Sequence, residues 1–560
     1  MLRLPMPRIA LFVLAMLAAA GTVAQHAKPN LALGKAAGYA WVFFTDKGPE
    51  AFMHLRNPQV LLSDAALQRR VHEQIPVDET DVPVSATYLN YLRSRGIAVA
   101  GTSRWFNAAL VVTDNEMPYK LAGLACVAGV QPHGRYKPKT TAQGVPCTTS
   151  VLGAAFYGST FTATRMLNLD GLHSRCFDGR GIRIGVFDSG FLAADVTPQF
   201  GKLFSEKRIL ATRDFFIPGG NVYLQDSHGA TCLSVLAAVQ PGTYVGAAPG
   251  ASYVLARTEN VAYERHIEEL AWANALEWAD SAGVRVISSS VSYNVFDAGE
   301  GDYTLAQLNG RTAIISRAAA MAARKGILVV NSAGNEGNSF WRKICVPCDA
   351  DSILCVGAVN AQGDVAGFSS RGPSADRRVK PDVVALGVQM PIVLPGPNAA
   401  VSRTNGTSYS TPAVAGMAAC LWQANPTARM LQLRDAIVRS SNSFATPDSN
   451  RGYGIPNAML ADAILKQTLD GLPTANNTGP RLLVFPNPAG QAITVVLQAD
   501  QFDTYDLTLV DATGRQVLAQ SGLTCNVRYP LTVATLANGT YVAWARYGGR
   551  PLSQKVVIAR

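Results

Sequence analysis

The pattern of apolar and polar positions changes character three times along the chain. From about residue 38 to 135 it mixes periods. "YAWVFF" (39–44) reads as a strand, while "DAALQRRVHEQ" (64–74) and "SATYLNYLRSRG" (85–96) carry helical spacing, the second stopped by Gly96. "GIAVAGTSRWFNAALVV" (96–112) then reads as strand, turn, strand. The Lys-, Thr- and Gly-bearing stretch "GRYKPKTTAQGVP" (134–146) reads as a linker.

From about 150 to 468 continuous apolar strands alternate with helices. "GIRIGVF" (181–187) is a strand, "LAWANALEWADSAG" (270–283) a helix ended by Gly283, and "VRVISSS" (284–290) the next strand. "ISRAAAMAARKG" (315–326) is a helix closed by Gly326, and "ILVVNS" (327–332) follows as a strand. This alternation predicts an α/β unit with a doubly wound, mostly parallel sheet. In such sheets ligand sites gather beyond the carboxyl ends of the strands. From about 480 the pattern becomes short alternating strands: "AITVVLQ", "TYDLTLVDATGRQVL", "LTVATL", "GTYVAWARYGG" and "PLSQKVVIAR". That is a small all-β sandwich, with "ANNTGP" (475–480) as the linker before it.

The N-terminus adds a targeting segment. Arg3 and Arg8 precede an unbroken apolar stretch, Ile9 to Ala20, and small residues continue through Ala24. The stretch is too short for a stable membrane span and reads as a cleavable signal peptide, a membrane anchor being the alternative. The expected organisation is therefore a signal peptide (1–24), a small α+β unit with its linker (25–148), the α/β unit (149–470) and the β-sandwich (480–560). No later stretch is long and apolar enough to span, so no transmembrane anchor is expected in the mature form.

Composition narrows the function classes. Of the 560 residues 48% are apolar and 16% charged, which suits globular domains with ample core. The formal charge is +10, but Lys and Arg are spread thinly with no basic run interleaved with aromatics, which speaks against nucleic acid as a partner. Export permits disulfides, and nine cysteines, an odd number, leave at least one thiol free or paired between chains. Cys345, Cys348 and Cys355 cluster. Zinc would need a fourth ligand nearby, and none is present, so a loop disulfide is the expected use.

Candidate chemistry starts from histidine, because the α/β unit holds only His173, His228 and His266. His266, in "YERHIEEL", is expected at the surface, and His173 has no catalytic context. His228, in "DSHGATCLSVLAA", stands where a small-residue helix begins. Asp188 closes the strand "GIRIGVFD". Ser408, in "NGTSYSTPAVAG", comes at the start of a helix, where Gly406 permits close approach and Pro412 is expected in the first turn. Asn335, in "ILVVNSAGNEG", ends a buried-type strand and carries an amide that can donate to an oxyanion. Alone, each has a plain reading as a turn or cap residue. Together they supply what a serine nucleophile requires: a base, a carboxylate to orient it, and oxyanion donors.

"VFDSG", "HGATCLSVLAA", "SAGNEG" and "NGTSYSTPAVAG" resemble, in order and spacing, the signature blocks of subtilisin-like serine peptidases. "VGAAPGASYVLAR", "VRVISSSVSYN" and "GFSSRGP" resemble the segments between them. The resemblance covers residues 150–468. It implies a serine endopeptidase with Asp188, His228 and Ser408 as triad and Asn335 as oxyanion donor. It also implies that Ser290, Val291 and Ser292 bind extended substrate, with Ser332, Ala333 and Gly334 as the facing wall of the S1 pocket. Two departures stand out: Ala230 where the family usually has Thr, and Ser292 where it has Gly. No cofactor is implied for the chemistry. Structural calcium is common in the family, and the loop with Asp297, Glu300 and Asp302 is the candidate place for it.

The first unit resembles the family's propeptide by position and α+β pattern, which implies self-cleavage between 135 and 155 and inhibition of the enzyme by its own propeptide; a permanent accessory domain is the alternative. "VFPNPAGQAITVVL", "LVDATGRQVL" and the basic end "KVVIAR" resemble the sorting domain of type IX secretion cargo, against a generic sandwich that binds sugar or protein. The sorting resemblance implies partnership with the type IX machinery and a secreted or cell-surface protein on the outside of a Gram-negative bacterium. Two other functions compete: a catalytically dead relative that binds peptides, which would have lost one of the four residues, and an α/β-hydrolase esterase, which would show G-x-S-x-G and a His last in the chain. All four residues are present, Ser408 lacks that context, and no His follows position 266.

Overall fold

The structure, a computed structural model, describes residues 38–113, 121, 124–133, 153–470 and 479–560. The leader (1–24), the linker at 134–146 and most of the expected self-cleavage region lie outside the described residues.

The α/β unit is built on a seven-stranded sheet. Its strands are β1 (Arg183–Asp188), β2 (Ile209–Asp214), β3 (Ser252–Arg257), β4 (Val286–Ser289), β5 (Leu328–Ser332), β6 (Leu354–Val359) and β7 (Val383–Leu386). Their spatial order is β7-β6-β5-β4-β1-β3-β2, and every pair is parallel. The strand "VRVISSS" is shorter than its apolar run suggests, and Ser290 already lies beyond the sheet. Strands β4 to β7 are buried along their whole length, as a sheet covered on both faces requires. β2, at the edge, alternates instead.

One face packs α1 (His228–Ala237) and α4 (Thr407–Ala424); the other packs α2 (Ile267–Ser281) and α3 (Ile314–Arg324). Within β1 the faces alternate: Ile184 and Val186 join the first core, Phe187 the second. Phe187 meets Trp272 of α2 edge-on at 5.9 Å, and the indole N–H donates to Ser289 Oγ at 2.9 Å, so this buried ring leaves no polar atom stranded. α4 is buried from Thr407 to Trp422, and from Pro412 to Trp422 it is apolar on all sides, as a helix through a core must be. The chain moves to one side of β1 for β2 and β3, then to the other for β4, so the topological switch lies at β1.

The first unit is a four-stranded antiparallel sheet, in the order Val99–Ser103, Ala108–Thr113, Gly38–Phe44, Val127–His133, with helices Asp64–Glu73 and Ala86–Ser94. Val127–His133 is not signalled by the sequence: Gly129 and Pro132 interrupt it, and its edge position is what tolerates the proline. Tyr39, Trp41 and Leu110 pack on Leu270 of α2 and Ile314 of α3.

A buried charge network reinforces that contact. Arg70 donates to Asp280 at 2.8 Å and also to Asp81, Arg104 reaches Asp280 at 3.1 Å, and Arg69 makes a third ion pair with it. Arg69 Nη1 donates to Val284 O at 2.7 Å and Nε to Lys325 O at 3.2 Å, satisfying carbonyls that follow α2 and α3. Glu277 of α2 accepts from the backbone N–H of Arg104 and Trp105 and from the Ser103 hydroxyl.

The last unit is two antiparallel sheets. One runs Arg481–Phe485, Ala492–Gln498, Tyr529–Thr532; the other runs Gln516–Thr524, Thr504–Val510, Gly539–Tyr547, Arg550–Ile558. They enclose one core, and Leu55, Leu62, Leu67, Val77 and Val82 of the first unit belong to that same core.

Candidate active site

Asp188, Ser290 and Asn335 stand at or just past the carboxyl ends of three adjacent strands, β1, β4 and β5, while His228 and Ser408 stand at helix starts. Asp188 is the last residue of β1 and is wholly buried. His228 opens α1, and the first turn of that helix presses onto β1 because Gly229 has no side chain: a Cβ there would lie 2.7 Å from Asp188 Cβ and overlap Gly190 O. Asp226 Oδ1 accepts the backbone N–H of His228 at 2.9 Å and the Ser189 hydroxyl at 2.8 Å, tying helix start to strand end.

His228 Nδ1 then sits 2.7 Å from Asp188 Oδ1, which also accepts the backbone N–H of Ser189 at 2.8 Å. This pairing assigns the proton to Nδ1 and leaves Nε2 as the lone-pair side. Burial works against a charged imidazole, but the Asp188 carboxylate outweighs it and holds His228 well above the usual histidine value.

Ser408 is the second residue of α4 and is 7% exposed. Pro412 is the sixth residue of that helix, so it falls in the second turn and not, as the sequence suggests, in the first. Its missing N–H would have bonded to the carbonyl four residues earlier, which is that of Ser408. Two side chains take over: Ser290 Oγ donates to Ser408 O at 2.8 Å and Cys232 Sγ at 3.4 Å. The Ser408 hydroxyl itself donates to Ser290 O at 3.5 Å; among the described residues it makes no hydrogen bond to His228.

Asn335 lies in the turn after β5. Its side-chain oxygen accepts both the backbone N–H and the hydroxyl of Thr407 at 3.0 Å. With the oxygen occupied, the amide presents its NH2 beside the start of α4, where the helix also points its unpaired N–H groups.

Ser290, Val291 and Ser292 continue past β4 as extended chain that is not part of the sheet. Val291 O accepts from Asn331, and Tyr293 pairs with Val346 in both directions. Opposite, Ala333 O accepts from the backbone N–H of Cys345, and Gly334 has a φ of +100°. A Cβ at Gly334 would lie 2.8 Å from Cys345 Sγ, so this wall is closed by a buried thiol that also touches Ser292 and Ser370. Ala230 is buried within the core and does not face the site.

Sequence reasoning overlooked Cys232. It stands one helical turn after His228, at the i, i+4 spacing that puts both on one face, and its sulfur is 3.8 Å from His228 Nδ1. Burial pushes its thiol up. Asp188, His228 and Cys232 are the one group of three ligand-type side chains gathered within 4.8 Å among the described residues.

Asp297, Glu300 and Asp302 are not gathered into such a group among the described residues: Asp297 accepts from Arg265 at 3.1 Å and Asp302 from the backbone N–H of Phe296 at 2.9 Å. His266 is only partly exposed and not a free surface side chain. Its ring lies 3.9 Å from that of Phe296, hydrogen-bonded to Glu269 and to Gly301 O. His173 is buried between the Tyr157 hydroxyl and Ala247 O, with its pKa lowered to about 4 by burial, which is a structural role. The expected loop disulfide joins Cys348 to Cys355.

No helix among the described residues is long and apolar enough to cross a membrane. Residues 179–455 match the subtilase family, 39–144 the peptidase S8 propeptide domain of Bacteroidota, and 483–559 the secretion system C-terminal sorting domain. Subtilisin E of Bacillus subtilis (strain 168) is 31% identical over 300 residues, spanning 52% of this chain and 68% of its own length. Subtilisin of Bacillus pumilus is 30% identical over 300 residues, covering 52% of this chain and 94% of its own. Subtilisin Savinase of Lederbergia lenta is 27% identical over 293 residues, covering 52% and 93%. With these relatives and a seven-stranded parallel sheet whose strand ends and adjoining helix starts carry the four signature blocks, the chain belongs to the subtilase family of serine endopeptidases.

Proposed function

We propose that the chain is an exported, self-processing endopeptidase in which Ser408 is the nucleophile, His228 the general base and acid, Asp188 the orienting carboxylate and Asn335 the oxyanion donor. The observation that carries this reading is the buried Asp188 carboxylate 2.7 Å from His228 Nδ1, with Cys232 Sγ lying 3.8 Å from that ring nitrogen and 3.4 Å from Ser408 O. Substrate binding turns the Ser408 hydroxyl from Ser290 O toward His228 Nε2, as free enzymes often close this bond only in the complex. Ser408 Oγ attacks the scissile carbonyl while His228 takes its proton. The tetrahedral oxyanion accepts from Asn335 Nδ2 and the backbone N–H of Ser408. His228 then protonates the leaving amine, and water repeats the sequence on the acyl-enzyme.

Substrate lies extended between Ser290, Val291 and Ser292 on one side and Ser332, Ala333 and Gly334 on the other. Cys345 beneath Gly334 and the Ser292 hydroxyl narrow the pocket for the residue before the cut, which favours small side chains. Every group in this chemistry comes from the chain, so no cofactor takes part. The propeptide inhibits until it is cut and shed, and the sorting domain directs passage through the type IX machinery to the outside of a Gram-negative bacterium.

The test is secreted expression of the wild type beside Ser408→Ala, read by intact mass and casein digestion. The wild type alone is expected to lose the propeptide and digest casein. Equal digestion by the alanine variant would refute the triad, and a folded, unprocessed, inert wild type would favour a peptide-binding relative.

A further inference from the structure

The propeptide has two faces, and the sorting domain covers one of them. Leu55, Leu62, Ala66, Leu67, Val77 and Val82 share a core with the sandwich. Arg56 forks onto the sandwich backbone, donating to Ser521 O at 2.7 Å and Gly522 O at 3.2 Å. In return Thr524 Oγ1 donates to Arg56 O at 2.8 Å and the Tyr529 hydroxyl to Leu55 O at 3.0 Å. Val77 is stitched to the chain around Val527 on both sides: its N–H donates to Asn526 O and its carbonyl accepts from the N–H of Arg528, each at 2.7 Å.

The helix Asp64–Glu73 shows the division within one element. Leu67 enters the sandwich core, while Arg69 and Arg70 reach Asp280 of the peptidase unit. Asp78 bridges both neighbours, accepting from Arg528 at 3.4 Å and from Lys325 at 3.2 Å. Among the described residues, the hydrogen bonds that leave the sandwich end on the propeptide, and none joins it to the peptidase unit.

We propose that the sorting domain is a second clamp on the propeptide, so that cleavage of the propeptide's own linker does not free it while the sorting domain stays attached. This rests on reading the first unit as an inhibiting propeptide. The sandwich is tied covalently to the peptidase unit through residues 471–478 and non-covalently to the propeptide. A propeptide cut at 134–152 is therefore held at two points, and the tether keeps the second at high effective concentration. By linkage, the docked sandwich raises the retention of the propeptide, and the docked propeptide fixes the sandwich. Severing the sandwich tether reduces the hold to one point, and propeptide and sorting domain leave together.

The test uses the full chain carrying Ser408→Ala, with a recognition sequence for an external protease in each of the two linkers, so that self-processing plays no part. The chain is cut at the first linker, or at both, and followed by size exclusion with mass detection. With the first cut alone the propeptide is expected to stay bound. With both cuts it is expected to be lost at least ten times faster, eluting as one complex with the sorting domain. Arg56→Ala combined with Arg528→Ala is expected to speed loss from the singly cut chain by a similar factor. A sorting domain that elutes alone or remains on the peptidase unit, or a rate of propeptide loss indifferent to the second cut, would overturn the clamp. A failure of the endopeptidase or triad assignment shows in the casein assay, which is run on the same variant, and not in these elution profiles.

Discussion

At the scale of single residues, the site is held by donors and acceptors that leave few alternatives. Asn335 has its oxygen tied by Thr407, which leaves its NH2 free to serve, in the proposed mechanism, as a donor to the oxyanion. Asn335→Ala is expected to lower kcat by about a hundred- to a thousandfold with KM little changed, the magnitude established for the corresponding donor in a subtilisin. In the proposed mechanism His228 sets the pH profile. A proton on Nε2 blocks its work as a base, and Asp188 stabilises that protonated form. The rate should therefore rise with pH through the raised pKa, with the midpoint of kcat/KM above 6.5. A midpoint at or below 6 would mean that burial, and not Asp188, governs the ring. Much of this was legible in the sequence, because each residue sits at a strand end or helix start that local pattern reveals. Cys232 was not, since a cysteine inside a small-residue helix looks like packing until the helix is wound and its sulfur comes beside His228.

At the scale of elements, long-range polar contacts are what sequence reading lost. Glu277 and Asp280 occupy an amphipathic helix whose charged face would ordinarily be given to solvent, yet both are buried under the propeptide. Nothing local announces that Arg69, Arg70 and Arg104, far away in sequence, converge on one carboxylate. His266 was misplaced for the same reason: its charged neighbours suggested surface, whereas Glu269 and Phe296 enclose it. Removing one member of a buried ion pair costs about 3–5 kcal/mol because its partner is left uncompensated. Asp280→Ala should weaken propeptide retention by about two to four orders of magnitude, read as propeptide lost during size exclusion of the processed chain. Loss no faster than wild type would show that the apolar contact through Trp41 and Leu110 carries the association.

At the scale of the whole molecule, three units form a stack with the propeptide in the middle, and its response to acid follows from the groups that join it. Burial favours the neutral forms of Asp81 and Asp280, but the guanidinium of Arg70 and its neighbours prevail and hold both carboxyls below the usual range. A depressed carboxyl contributes to association at every pH above its ordinary value near 4 and ceases to do so only as pH falls through the lowered value. Glu277 moves the other way, pushed up by burial, so protonating it does not oppose association. The assembly should stay intact from pH 8 to 5 and come apart only in stronger acid. Dissociation at pH 5.5, followed by light scattering, would contradict this. The three units were visible in the changing periodicity of the chain, but their stacking order was not, because Arg56, Val77 and Arg528 carry no local mark of the partners they meet.

Pro412 has a mechanical consequence. Because the helix lacks one rung below the nucleophile, the backbone of Ser408 is gripped from outside by Ser290, just past the end of β4, and by Cys232 on the neighbouring helix. Three elements are thus pinned at a single carbonyl, and α4 cannot slide along its axis without dragging both. The stiffness of this joint comes from a bond the helix is unable to make for itself.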